Sequence, residues 1–230
     1  MDALGFNKDF KQLRAEFIGC YIFSLVIALT GCAGKHDYIN PTSEAKLNNS
    51  IVIDRSKDEV WKELIPELGK HFFVINNLDK ASGLINISYS GDPEAYIDCG
   101  RVVSYVQNLK GERTYDFPAA RAQQTYEVMD GRGLWLISRN MTLEGRMNLV
   151  FEEMTPNQTR VTANTRYIVT RNMSQQLGGT TLPSIKTDTI SINSGQSAGF
   201  ANPDGSVRPI CLPNGKFEAD VLALIKNQKR

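Results

Sequence analysis

Two long, strictly alternating segments in the second half of the chain restrict its fold more than any other feature. Met141, Leu143, Gly145, Met147, Leu149 and Phe151 alternate with Asn140, Thr142, Glu144, Arg146 and Asn148. After the turn Thr155-Pro156-Asn157-Gln158, Val161, Ala163, Tyr167 and Val169 alternate with Arg160, Thr162, Asn164, Arg166 and Thr170. Successive side chains of a strand point to opposite faces, so a period of two sustained this long means a sheet with one buried and one polar face.

The rest of the sequence supplies what covers that sheet. Ile51-Val52-Ile53 reads as a short strand, and Ser56-Lys57-Asp58-Glu59 is a capping box that starts a helix. Val60, Trp61, Leu64, Ile65 and Leu68 give this helix one apolar face; Pro66 predicts a kink near Glu63, and His71 closes it. Phe72–Leu78 and Leu84–Tyr89 flank a turn-rich connection, and Tyr96–Val106 forms a strand with a bend at Gly100. Residues 107–133 are polar and carry no firm assignment, residues 172–185 read as loop, and Ile190-Ser191-Ile192 returns to strand. Phe217–Ile225 is a closing amphipathic helix whose inner stripe is Phe217, Val221, Leu222 and Ile225. The expected class is α+β, a curved antiparallel sheet with an N-terminal and a C-terminal helix packed on it.

The first 32 residues point to an address rather than a fold. Phe17 to Thr30 contains no charged residue, and Lys8, Lys11 and Arg14 precede it. That stretch is shorter than the roughly 20 residues a membrane-spanning helix needs, but it suits a signal-peptide core. It ends in Leu29-Thr30-Gly31-Cys32, which resembles the lipobox of lipoprotein precursors. The resemblance implies cleavage before Cys32 and acylation of its thiol, which gives a signal peptide at 1–31. Ala33, rather than Asp, after the cysteine implies sorting to the outer membrane, with the chain facing the periplasm. Residues 32–49 then read as a lipidated cysteine and a flexible tether rich in Gly, Asn, Pro and Ser, in which His36 is solvated. A single domain occupies 50–230.

Charge narrows the partners little. Lys8, Lys11 and Arg14 balance Asp2, Asp9 and Glu16, so loss of the leader leaves the net charge at +1. No basic excess suggests a nucleic-acid partner. With Cys20 in the leader and Cys32 acylated, Cys99 and Cys211 remain as a pair. An oxidising compartment would close them into a disulfide, the alternative being two buried free thiols.

Trp61 in the opening helix, the hairpin, Tyr96-Ile97-Asp98-Cys99-Gly100, the paired long strands and Cys211-Leu212-Pro213-Asn214-Gly215-Lys216-Phe217-Glu218 resemble a group of proteobacterial lipoproteins over most of residues 50–228. Their order of elements is similar to the helix-grip fold of the domains of the outer-membrane assembly lipoprotein BamC. The resemblance implies a lipid-anchored domain that works among other envelope proteins.

No nucleophile elbow, zinc-protease motif, phosphate loop or dinucleotide fingerprint is present, so neither catalysis nor a metal or cofactor is expected. His71, Asp92 and Glu94 are the best remaining acid–base candidates, and Glu152-Glu153 reads as a solvated pair. Gly178-Gly179 lacks the Lys-Ser/Thr of a phosphate cradle. Arg139, Arg146, Arg160, Arg166 and Arg171 are expected to line one solvated sheet face in ion pairs with Glu144 and Glu152, with Arg146 and Arg166 as its contact residues for an anionic partner. Two binding readings follow: an assembly domain that binds envelope proteins, or a carrier that holds a small apolar ligand between the sheet and the C-terminal helix, with Trp61 and Tyr167 lining the space.

Overall fold

The alternating segments become one hairpin far longer than the helices that cover it. In the computed structural model, residues 32–42, 48–71, 73–202 and 205–226 are described. In chain order the elements are β1 (Ala33–Ile39), β2 (Ser50–Ile53), α1 (Lys57–Lys70), β3 (Val74–Asp79), β4 (Leu84–Gly91), a 3-10 turn (Pro93–Ala95), β5 (Ile97–Asp98), β6 (Arg101–Asn108), β7 (Gly111–Pro118), β8 (Gln123–Asp130), β9 (Gly133–Thr155), β10 (Gln158–Leu177), β11 (Ser184–Asn193), β12 (Ala198–Ala201), β13 (Val207–Pro213) and α2 (Lys216–Lys226). The architecture is mostly antiparallel sheet with two helices, an α+β fold.

Length explains the layering. At ~3.3 Å per residue, the 23 residues of β9 extend roughly 75 Å. The 14 and 11 residues of α1 and α2 reach only about 21 and 17 Å. Two helices therefore cover one half of the hairpin and leave the other half to a second sheet. Flanking strands divide the same way. β4 pairs with β9 from Leu143 to Val150, and β8 pairs with it from Gly133 to Asn140. On β10, β2 pairs from Thr159 to Thr162 and β11 from Arg166 to Gln175. Over the β8 half lies a three-stranded sheet in the order β1-β6-β7, and a small sheet, β12-β13-β5, flanks it.

The helical half has a dense core. Val60, Trp61, Leu64 and Leu68 of α1 and Phe217, Val221, Leu222 and Ile225 of α2 meet the inward residues Leu143, Met147, Leu149, Phe151, Val161, Ala163 and Tyr167. Tyr167 lies opposite Gly145 in the ladder, and a Cβ on Gly145 would come within 2.9 Å of Phe217 Cε1. The missing side chain is what lets the final helix seat its aromatic ring on the sheet. The capping box at Ser56 and Glu59 forms as expected, and α1 runs on through Pro66 to a C-cap at His71.

Several expectations are corrected. Residues 33–39 are not a free tether: β1 pairs antiparallel with β6, from Ala33 opposite Gln107 to Ile39 opposite Arg101. Most of its side chains are exposed, so backbone pairing holds it and no apolar run betrays it. Residues 107–133 hold β7 and β8, whose buried positions are carried mainly by Phe117 and Tyr126. Residues 172–177 continue β10, and β11 begins at Ser184. The bend at Gly100 is real; its φ of 74° sits where a Cβ would meet the Ile39 carbonyl at 2.1 Å. Residues 1–31, with the expected signal peptide, lie outside the described residues. Among the described residues no helix is long and apolar enough to cross a membrane.

Candidate functional site

Alternation places Arg139 and Arg171 on the inward face of the long hairpin, in phase with Met141 and Val169. Both side chains are buried, at 5% and 3% exposure. This corrects the expectation of one solvated arginine face. Only the outward-facing members behave that way: Arg146 pairs with Glu144 at 2.6 Å, Arg160 reaches Glu152 at 3.5 Å, and Arg166 Nε donates to Ser191 Oγ at 2.7 Å.

The two inward arginines lie where the β1-β6-β7 sheet crosses β8, β9 and β10, and they line a cavity of about 340 Å³. Strand β1 contributes His36 and Tyr38, β6 contributes Val102, and β8 contributes Tyr126 and Val128. Ile137 and Arg139 come from β9, and Arg171, Met173 and Gln175 from β10. The β12–β13 connection closes the outline with Asn202 and Ser206, followed by Arg208 and Pro209. No carboxylate among the described residues lines it.

Arg171 is partly neutralised. Its Nη2 donates to Asp188 Oδ2 at 2.8 Å, and Lys186 also reaches Asp188 at 3.0 Å. Burial alone would raise the Asp188 carboxyl, but the hydrogen bonds from Arg171 and Lys186 hold it below its ordinary value. The guanidinium also lies over the Phe200 ring at 4.3 Å. Arg139 has no such partner. Its nearest compensation is the face of Phe117, 5.3 Å from the guanidinium carbon, and its Nε and Nη2 are buried without a hydrogen-bond acceptor among the described residues. Burial pulls the Arg139 pKa down, with Tyr126 opposing and the charges of Arg171 and Arg121 adding to the effect. An arginine still keeps its proton, so a cation is held here at the expense of its hydration.

The aromatic and imidazole groups of the cavity are similarly displaced. Burial raises the Tyr126 hydroxyl. Partial burial of its ring against the cavity pushes His36 below its ordinary value, opposed by Asp37, although the residue as a whole is exposed. The His36 ring stacks on Tyr126 at 6.2 Å, which in turn packs against Phe117 at 5.0 Å. The Tyr38 hydroxyl accepts from Ile210 N at 2.8 Å and lies 3.1 Å from the carbonyls of Cys99 and Ile210.

Cys99 and Cys211 form a disulfide. It ties β13 to the junction of β5 and β6, five residues before α2 starts, and so fixes the wall on which Tyr38 rests. Cys32 is exposed and directly precedes β1.

Trp61 and Tyr167 are core residues rather than ligand-facing ones, at 5% and 0% exposure. Trp61 sets its edge against Phe151 at 5.3 Å, and the Tyr167 hydroxyl donates to the buried Glu218 carboxylate at 2.6 Å. The space between sheet and C-terminal helix is filled by Tyr89, Tyr96, Tyr167 and Phe217 in mutual ring contact. Arg146 and Arg166 border a shallow depression of about 480 Å³ with Asn86, Asn148 and Asn164 on the outer face. A further open trough of about 540 Å³ lies over Gln123, Thr125, Ser138, Asn140 and Asn172. Arg139 also borders this trough, and among the described residues neither hollow adds a further buried arginine donor without an acceptor.

The acid–base candidates do not converge. His71 caps α1 at the surface, Asp92 caps the 3-10 turn through Glu94 N at 2.9 Å, and Glu94 faces Arg121 at 3.7 Å. Among the described residues no group of three or more His, Cys, Asp or Glu is placed to hold a metal. No family model, no curated protein and no solved structure matches the chain.

Proposed function

We propose that this chain is a lipid-anchored envelope protein, placed on the outer membrane and facing the periplasm, whose helix-grip-like domain is a non-catalytic binding module. The observation that carries the binding reading is the arginine cavity, where a buried cation lacks an acceptor. Burying a charge without a partner costs several kcal/mol, so a site that retains one is expected to exist for something that completes it. The anchor reading rests on Leu29-Thr30-Gly31-Cys32 and on the exposed Cys32 thiol. A carrier role between the sheet and α2 finds no support in the ring packing there, so binding is assigned to the second-sheet end of the molecule. With β1 starting at Ala33, the lipid would join the folded domain directly.

Mass spectrometry of the full-length protein extracted from membranes in detergent tests both halves. The denatured mass should be that of residues 32–230 plus acyl groups. The native mass should exceed it by a small non-covalent ligand. A denatured mass of the whole chain would defeat the anchor reading, and identical native and denatured masses would defeat the binding reading.

A further inference from the structure

The cavity is more specific than a general binding site, because its chemistry is divided. We propose that it binds an amphiphilic anion, with phosphate or carboxylate oxygens taken by Arg139 and Arg171 and an apolar portion lying along Val102, Val128, Ile137 and Met173. This deepens the binding reading above and rests on it.

Three observations lead to that class of ligand. The first is which atoms lack partners. Nε and Nη2 form the side edge of a guanidinium, two parallel donors spaced to meet two oxygens of one carboxylate or phosphate. Those are the Arg139 atoms without an acceptor. Arg171 Nε is likewise buried and unpartnered, although its Nη2 is engaged by Asp188. A bound oxyanion would therefore complete donors on two strands at once.

The second is the balance of charge. Arg139, Arg171 and Arg208 line the cavity, Asp188 offsets only Arg171 from outside it, and no carboxylate among the described residues lines it, so an anion enters a field of opposite sign set by Arg139 and Arg208. A neutral apolar ligand would leave that charge uncompensated, and a cation would meet repulsion.

The third is size and position. A volume of about 340 Å³ equals the space of about eleven waters at ~30 Å³ each, enough for a headgroup and a few carbons but not for a complete lipid tail. His36 and Tyr38 of the cavity lie in the strand that begins immediately after Cys32. At ~3.4 Å per residue, His36 is within about 14 Å of the acylated position. A cavity that takes only the head of an amphiphile, this close to an anchor, is suited to a molecule whose tail stays in the membrane. The same head could also arrive on a soluble molecule.

The experiment uses full-length protein in a neutral detergent and reads thermal shift and affinity for four probes. They are dihexanoyl phosphatidic acid, octanoate, glycerol 3-phosphate and dihexanoyl phosphatidylcholine. The first two should raise the melting temperature saturably. Phosphatidylcholine, without net charge, should not. Weaker binding of glycerol 3-phosphate than of phosphatidic acid assigns the ligand to a lipid; equal binding assigns it to a soluble phosphate and supports the anion site while overturning the role of the apolar wall. R139M should lower affinity for the anionic probes at least tenfold, and R139K should fall in between because a lysine keeps the charge but loses the paired donors. Equal affinity of wild type and R139M for phosphatidic acid would overturn the inference. Preference for phosphatidylcholine would overturn it too, while leaving a binding module in place. No shift with any probe, together with identical native and denatured masses, would remove the binding reading itself.

Discussion

Removing the Arg139 guanidinium should stabilise the ligand-free protein. In R139M most of the aliphatic stem is retained, so the buried volume at this position is largely kept. Two buried donors without acceptors disappear, each of which costs about 1–3 kcal/mol while it stays unpaired. Against this stands the loss of the contact with the Phe117 ring at 5.3 Å, of the order of 0.5–2 kcal/mol. The difference is a net gain of about 0–5 kcal/mol, centred on about 3 kcal/mol, the same direction as the gain seen when buried ion pairs give way to apolar groups. For a domain of this size each kcal/mol moves the melting temperature by roughly 2–4 °C, so calorimetry of the ligand-free protein should show a rise. A fall of more than about 1 kcal/mol, confirmed by urea titration, would mean that the guanidinium holds the fold together. The cavity would then be a structural feature rather than a site.

Four further outcomes are expected. Cys99→Ser should lower stability by up to about 4–5 kcal/mol, from opening a loop of 112 residues, and should free Cys211 to react with a thiol probe in denaturant. Tyr167→Phe removes the hydroxyl that hydrogen-bonds buried Glu218 at 2.6 Å, and equilibrium unfolding should show a loss of about 1–3 kcal/mol. His36, held below 6.5 by burial, keeps the folded state in favour of the neutral ring. Its stabilising contribution is therefore complete above about pH 6.5 and is lost as pH falls through the lower folded value, a limb that H36Q should flatten and that ring-proton NMR can follow directly. Cys32→Ala should abolish palmitate incorporation and leave the precursor uncut; label that persists would place the acylation site elsewhere.

The hairpin, both helices and the disulfide were legible because each leaves a periodic or countable mark. Met141 to Phe151 repeats every two residues, Val60 to Leu68 follows the helical turn, and Cys99 and Cys211 are the pair left once Cys20 and Cys32 are assigned to the expected leader and anchor. Strand β1 left almost no mark, since its side chains are mostly exposed and its stability comes from backbone pairing with β6. Strands β7 and β8 were hidden for a related reason, being edge elements with few buried positions. The inward arginines are a different case. Extending the alternation of β9 by one step from Met141 puts Arg139 indoors, and one step beyond Val169 does the same for Arg171. The general expectation that arginines face solvent outweighed that parity, yet a polar residue on the apolar phase of a strand is the clearest sign of a site that this sequence holds.

Side-chain ¹H–¹⁵N spectroscopy of the arginine Nε groups, in full-length protein titrated with octanoate, tests the cavity most directly. Buried and without acceptors in the free protein, the Arg139 and Arg171 Nε–H groups should shift together and saturably as oxygens arrive, while exposed Arg146 and Arg166 stay in place. Saturable binding of octanoate with the Arg139 and Arg171 resonances unmoved would contradict the account.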